Sequence, residues 1–269
     1  MARFIQCGVK SPIVQQVNLA VENISDSLCG LRILFLTDIH FGKWVPDEHM
    51  KTLIDEVMAQ APDLIFFGGD LSDTKDGQRR VICDHLTRLK PPLGMFAVPG
   101  NNDWEAFQGD YSTMRKWLDG IGVRLLINET VSLTQPDNAR LFIGGLDEPE
   151  YGRPDGKSLE CEKRTGDVHI VLSHSPYGLD WALTVPKRYP DLALCGHTHG
   201  GQFALGNFTV YALGYDHEHA VGKKFFRVRG LDKHDDVTVL TSNGIGFSLM
   251  PMRIGAPSEM HIITLTRAI

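Results

Sequence analysis

Short apolar runs, separated by helical or turn-like segments, set the layout of the chain. Residues 31–36, 63–67 and 93–98 are mostly continuous in Leu, Ile, Phe, Val and Met. They read as strands buried on both faces, because a half-exposed strand alternates instead. Residues 13–21 do alternate and predict a half-buried strand. Residues 47–59 place Met50, Leu53, Ile54, Val57 and Met58 at helical spacing, behind a Pro46-Asp47 start. Further helices are predicted over 78–89 and 104–118. A first strand followed by β-α-β-α-β-α predicts a layered α/β fold with a largely parallel first sheet.

The second half is richer in strands. They are expected at 123–126, 131–134, 141–144, 168–172, 192–195, 208–211, 225–228, 237–241 and 261–265, with one helix near 158–164. This predicts a second sheet of mixed direction packed against the first. No repeat, low-complexity tract or linker interrupts the pattern, so residues 1–269 read as one domain.

Composition adds exclusions. With 27 Lys plus Arg against 33 Asp plus Glu, the formal charge is −6, which argues against a nucleic-acid backbone binder. The five cysteines, Cys7, Cys29, Cys83, Cys161 and Cys195, have no C-x-x-C spacing and read as reduced thiols. The first ten residues lack the apolar run of a signal peptide, and no stretch has the length of a membrane span. A cytoplasmic protein without a transmembrane anchor is the expectation.

The chemistry sits at strand ends. Asp38 and His40 follow the first buried run, Asp70 the second and Asn101 the third. His174 follows the strand at 168–172, and His197 and His199 follow the one at 192–195. Loops at the carboxyl ends of strands are where α/β folds place ligands. Imidazole, carboxylate and amide oxygen together suit manganese, iron, zinc or nickel, and the set is large enough for two ions. Gly196-His197-Thr198-His199 is the most specific piece, since Gly-His-x-His is expected by chance only roughly 0.04 times in such a chain. A mononuclear zinc amidase is disfavoured: the chain has no H-E-x-x-H helix, and Asp70 and Asn101 would be left without a role.

Taken in order, Asp38-x-His40, Gly69-Asp70, Gly100-Asn101-x-Asp103, His174 and Gly196-His197-x-His199 resemble the calcineurin-like metallophosphoesterases. The resemblance runs from about residue 31 to 200. Gly196 to Gln202 and Arg253 to Glu259 are similar to a bacterial subgroup with a GHTHGGQ motif. It implies a four-layer α-β-β-α sandwich, two mixed sheets flanked by helices. It also implies two divalent cations, manganese first, with iron, zinc, nickel and cobalt also compatible. One ion would take Asp38, His40, Asp70 and His199, the other Asp70, Asn101, His174 and His197, with Asp70 bridging. A bridging hydroxide would attack phosphorus in line, and Asp103 would orient a ligand or its loop.

One position departs from the family pattern. Asn102 stands where the family has the histidine credited with protonating the leaving group, and an amide donates a hydrogen bond but does not supply a proton at useful pH. The expected substrate is therefore a small-molecule phosphodiester or pyrophosphate. A phosphomonoester, or a catalytically weak binding scaffold, is the alternative. His217 and His219 are candidate substitutes for the missing histidine, or part of a solvated polar loop. Lys223, Lys224, Arg227 and Arg229 form a small basic cluster, either a phosphate site or a strand edge. Residues 245–252 are apolar and broken by glycine, fitting either a core-facing loop or a surface for lipid, so a lipid substrate stays open. Nothing in the sequence bears on oligomeric state.

Overall fold

The computed structural model describes residues 4–42, 44–73, 79–183, 190–206, 208–209, 227–234, 236–248 and 250–268. The continuous apolar runs form the middle of one six-stranded sheet. Its order is β2 (Ile13–Val21), β16 (Glu259–Arg267), β3 (Arg32–Leu36), β4 (Leu64–Phe67), β5 (Met95–Ala97) and β6 (Val123–Leu125). β3 to β6 are mutually parallel, and β16 runs antiparallel to β3 and parallel to β2. The second sheet has the order β13 (Gly230–His234), β14 (Val237–Thr241), β10 (Leu192–Cys195), β9 (Val168–Ser173), β8 (Arg140–Gly145) and β7 (Glu129–Thr134). β14, β10, β9 and β8 are parallel, with antiparallel edges on both sides.

Side-chain alternation explains why both faces had to be apolar. Ile33, Phe35, Leu64, Phe66 and Phe96 meet Ile143, Ile170, Leu172, Leu192, Leu194 and Leu240 between the sheets. The intervening Leu34, Leu36, Ile65, Phe67 and Met95 pack against helices α1 (Asp47–Ala59), α2 (Arg79–Leu86) and α4 (Ser112–Asp119). On the far side, Val171, Ala193, Cys195, Val237 and Val239 are covered by α5 (Pro176–Ala182) and a 3-10 turn, Gly156–Leu159. The result is the expected four-layer α-β-β-α sandwich.

Several elements differ from the sequence expectation. The helix expected over 104–118 is two helices, α3 (Asn101–Phe107) and α4. The break is a left-handed pair, Gln108 at φ 49° and Gly109 at φ 76°, and apolar spacing does not encode it. α3 also begins three residues early, so Asn101, Asn102 and Asp103 form a helical first turn. The helix near 158–164 is only the 3-10 turn. The strand expected at 225–228 begins at Gly230 among the described residues, and 225–226 lie outside them. Of 208–211, β12 (Phe208–Thr209) is described; it pairs with the unanticipated β11 (Ala204–Leu205). β1 (Ile5–Cys7) and β15 (Met252–Ile254) form another small sheet. Among the described residues no helix is long and apolar enough to cross a membrane.

β9 buries one ionisable group away from the strand ends. His169 packs edge-on against Phe142, with centroids 6.3 Å apart, and burial holds its pKa down at about 4. The unfolded chain binds that proton near pH 6.5, so stability is constant above that value and falls as pH drops toward 4. Urea unfolding is expected to lose about 2 kcal/mol from this group between pH 6.5 and pH 5. The His169→Leu variant should lose correspondingly less over the same interval. Equal losses in both proteins would remove His169 as the cause.

Candidate metal centre

The topology places five carboxyl ends side by side. β3, β4 and β5 are parallel neighbours in one sheet, β9 and β10 in the other, and their loops meet above the sandwich. Hydrogen bonds stitch those loops together. The His197 N–H donates to both Asp38 carboxylate oxygens at 3.1 and 2.9 Å, and the Ile245 N–H donates to the Thr37 carbonyl. Asp38, His40, Asp70, His197 and His199 all have φ between 50° and 69°. Asp and His are among the residues that tolerate this left-handed region, and its concentration here marks a site held by its surroundings.

Two groups of side chains face each other. Asp38, His40 and His199 are buried, with ligand atoms within 4.8 Å of one another. The two imidazole Nε2 atoms are 3.0 Å apart, and Asp38 Oδ1 lies 3.9 Å from His40 and 3.7 Å from His199. Asp38, Asp70 and His174 form a second buried group by the same measure. Asp70 Oδ2 lies 3.6 Å from His40 Nε2 and 3.5 Å from His174 Nε2, so one carboxylate oxygen reaches both halves. Asn101 Oδ1 lies 3.1 Å from His174 Nε2 and 3.0 Å from His197 Nδ1.

The donor chemistry fits divalent cations. His174 Nδ1 sits 2.7 Å from the Gly68 carbonyl, which can only accept, so Nδ1 carries the proton. Nε2 points at Asn101 Oδ1 and Asp70 Oδ2, both acceptors, a volume that a proton fills in the free protein and that a cation would fill in its place. Acceptors converging on one volume need a positive charge between them. Orienting contacts of the kind metal-ligating histidines use are also in place: Asp73 holds His40 Nδ1, and the Gly68 carbonyl holds His174.

The electrostatics point the same way. Burial works against protonating His40, but the hydrogen bond to Asp73 and the charges of Asp70, Asp73 and Asp38 lift its pKa to about 9. Burial likewise opposes charge on His174, yet Asp70 and Asp38 raise it to about 10. Burial disfavours the Asp70 carboxylate, but the His174 and His40 charges with the His174 and Asn102 hydrogen bonds hold it well below the carboxylate range. Burial raises the Asp38 carboxyl. Burial, with His40 and Arg253 alongside, pushes His199 well below the usual imidazole value. The carboxylates of Asp38, Asp70 and Asp73 thus favour positive charge in this pocket, carried by His40 and His174 in the free protein.

Asn102 and Asp103 stand directly behind this constellation. The Asn102 backbone N–H donates to Asp70 Oδ1 at 2.9 Å and its side-chain amide to Asp70 Oδ2 at 2.6 Å. Asp103 Oδ2 accepts from the N–H groups of Asp70 and Gly100 at 2.9 and 3.0 Å, tying α3 to the β4 loop. Two neighbours had no role at the site from sequence, Asp73 and Arg253, the latter read only as the start of the Arg253–Glu259 segment. Asp73 lies three residues beyond Asp70, a local signal that could have been used. Buried Arg253 donates to the His199 carbonyl and approaches His199 Nδ1 at 3.1 Å, from 54 residues away in sequence. His217, His219, Lys223 and Lys224 lie outside the described residues.

A model of the calcineurin-like phosphoesterase family matches residues 31–201. The chain is 30% identical, over 97% of its length, to a Danio rerio transmembrane protein with metallophosphoesterase domain, and covers 59% of that protein. It is 30% identical, again over 97% of its length, to an uncharacterized metallophosphoesterase of Campylobacter jejuni, covering 65% of it. A Bacillus subtilis uncharacterized metallophosphoesterase is 28% identical over 88% of the chain, with 79% of that protein covered. The chain therefore spans less than two thirds of the first two of these relatives.

Proposed function

Because the chain belongs to the calcineurin-like phosphoesterase family, we propose that it hydrolyses phosphodiester or pyrophosphate bonds of small molecules at a dinuclear centre. In this reading Asp38, His40, Asp70 and His199 hold one divalent cation. Asp70, Asn101, His174 and His197 hold the other, and Asp70 serves both. Carboxylate, imidazole and amide oxygen favour manganese, with iron, zinc, nickel and cobalt compatible. When bound, the pair of ions supplies Lewis acidity toward phosphoryl oxygens and lowers the pKa of water.

The protein's own part is positioning. Asp73 and the Gly68 carbonyl fix the ring orientations of His40 and His174. Asp103 holds the β4 and β5 loops at a set separation through two backbone N–H groups. His197, half-buried, lies at the accessible side of the pocket with its ring edge-on to Tyr177, centroids 5.9 Å apart.

The observation that carries the diester reading is the contact of Asn102. Its backbone N–H and side-chain amide both engage Asp70. A group committed to the bridging carboxylate, with no titratable proton, does not assist departure of a basic alkoxide. Diesters and pyrophosphates with stable leaving groups do not need that assistance. With manganese-loaded protein, bis-p-nitrophenyl phosphate should be hydrolysed faster than p-nitrophenyl phosphate. Asn102→His should raise turnover of glycerol 2-phosphate, whose leaving group is a basic alkoxide, by about tenfold or more, the lower reach of general-acid catalysis. Equal wild-type rates on the two nitrophenyl esters, with no gain in the variant, would refute the assignment.

A further inference from the structure

Six large apolar side chains remain exposed on the two small sheets and the adjoining end of β13: Phe4, Ile5, Leu205, Phe208, Leu231 and Met250. Leu205 is 71% exposed and Phe208 55%, as partners across the β11–β12 hairpin. Backbone pairing makes the surface continuous. Phe203 bridges to Ile254, Ile254 pairs with Ile5, and the Gly255 N–H donates to the Phe4 carbonyl at 2.7 Å. Arg229 donates to the carbonyls of Gly255 and Gly206, joining the start of β13 to both sheets. The apolar segment 245–252 divides here: Ile245 and Phe247 turn into the core, while Met250 faces out.

Charge identifies the occupant. The described residues of segments 4–12, 200–209, 227–231 and 244–258 contain Lys10, Arg227, Arg229 and Arg253 and no Asp or Glu. With Asp232, which follows Leu231 directly, their formal sum is +3 in a chain whose total is −6. Arg253 is buried and Arg227 pairs with Asp232, whereas Lys10 is exposed and half-buried Arg229 donates to the neutral carbonyls of Gly255 and Gly206. A second copy of this chain meeting the same face symmetrically would set cation against cation. Exposed apolar side chains accompanied by Lys10 and Arg229 suit a surface that is apolar within and anionic at its boundary.

We propose that this face docks onto an anionic lipid bilayer. Leu205 and Phe208 enter the headgroup boundary, and Lys10 and Arg229 meet lipid phosphates. The inference is independent of which phosphoester is cleaved. It has a consequence for the metal centre, because the docking hairpin continues directly from His199-Gly200-Gly201. Gln202, at the junction, accepts from the Ser248 N–H and donates to the Met250 carbonyl, so the patch and a metal ligand share one loop.

Co-sedimentation with vesicles tests this without reference to activity. The full chain should pellet with phosphatidylcholine vesicles containing phosphatidylglycerol, less with phosphatidylcholine alone, and less at high salt. The Leu205→Ser/Phe208→Ser variant should lose partitioning by about tenfold or more. Lys10→Glu should weaken it selectively on anionic vesicles. Metal content and bis-p-nitrophenyl phosphate hydrolysis in detergent-free buffer report that each variant is folded. Failure of the wild type to pellet with anionic vesicles, or equal partitioning of wild type and variant, overturns the proposal. So does a wild-type dimer, seen by light scattering, that the double substitution dissolves, because it would assign the patch to protein contact.

Discussion

Asp70→Asn is expected to lower kcat/KM for bis-p-nitrophenyl phosphate by about 10³-fold or more, because its carboxylate lies between both halves of the proposed centre. Its Oδ2 lies 3.6 Å from His40 and 3.5 Å from His174, and both oxygens accept from Asn102. An amide at this position loses the negative charge. It also turns an N–H₂ group toward either the Asn102 amide or an imidazole, where the wild type has an acceptor. The predicted sequence of events is loss of metal first and of turnover as a result. Elemental analysis of protein dialysed against manganese should fall from two ions to one or fewer, while circular dichroism keeps the wild-type spectrum. A variant with two bound ions and activity within tenfold of wild type would remove Asp70 from the bridging position.

How far the site could be read from sequence follows from the physics of each element. α1 was legible in full at Asp47–Ala59, because Met50, Leu53, Ile54 and Val57 make one buried stripe behind Pro46. β3, β4, β9 and β10 were legible because strands buried on both faces are mostly apolar, buried His169 in β9 being an exception. The first Asp or His after each run therefore marks its end. The structure brings together the seven residues read from those ends, Asp38, His40, Asp70, Asn101, His174, His197 and His199.

What stayed hidden was set by contact in space. Arg253 reaches His199 through a fold-dependent approach that no local spacing records. The break between α3 and α4 rests on the left-handed Gln108-Gly109 pair, which leaves the apolar period of both helices intact. β1, β11, β13 and β15 are short edge elements with little alternation to detect. Asn102 was legible as a departure from the family pattern, but its hold on Asp70 was not.

Gly100→Ala is expected to cost roughly 10²-fold in turnover, and for a reason visible only in three dimensions. Gly100 has φ −104° and ψ 178°, extended backbone open to any residue, so conformational freedom does not explain a glycine there. Space does. A methyl group built on Gly100 would lie 2.5 Å from the Asp70 backbone nitrogen and closer still to Asp70 Oδ1. Neither neighbour can withdraw. The nitrogen is fixed by Asp103 Oδ2 at 2.9 Å, and the carboxylate is held by the Asn102 backbone N–H. The strain must pass into the β4 and β5 loops, displacing Asp70 from His40 and His174 and pulling Asn101 from His174 and His197. Overpacking of this kind costs about 1–3 kcal/mol of stability, while a misplacement of about 1 Å in a catalytic constellation costs roughly 10²-fold in rate. The expected result is a folded protein, a few degrees less stable in thermal melts, with weakened manganese binding and at least that loss of turnover. Wild-type manganese affinity and turnover in Gly100→Ala would show that the loop has slack, and that the close approach of Gly100 to Asp70 does not set the geometry of the centre.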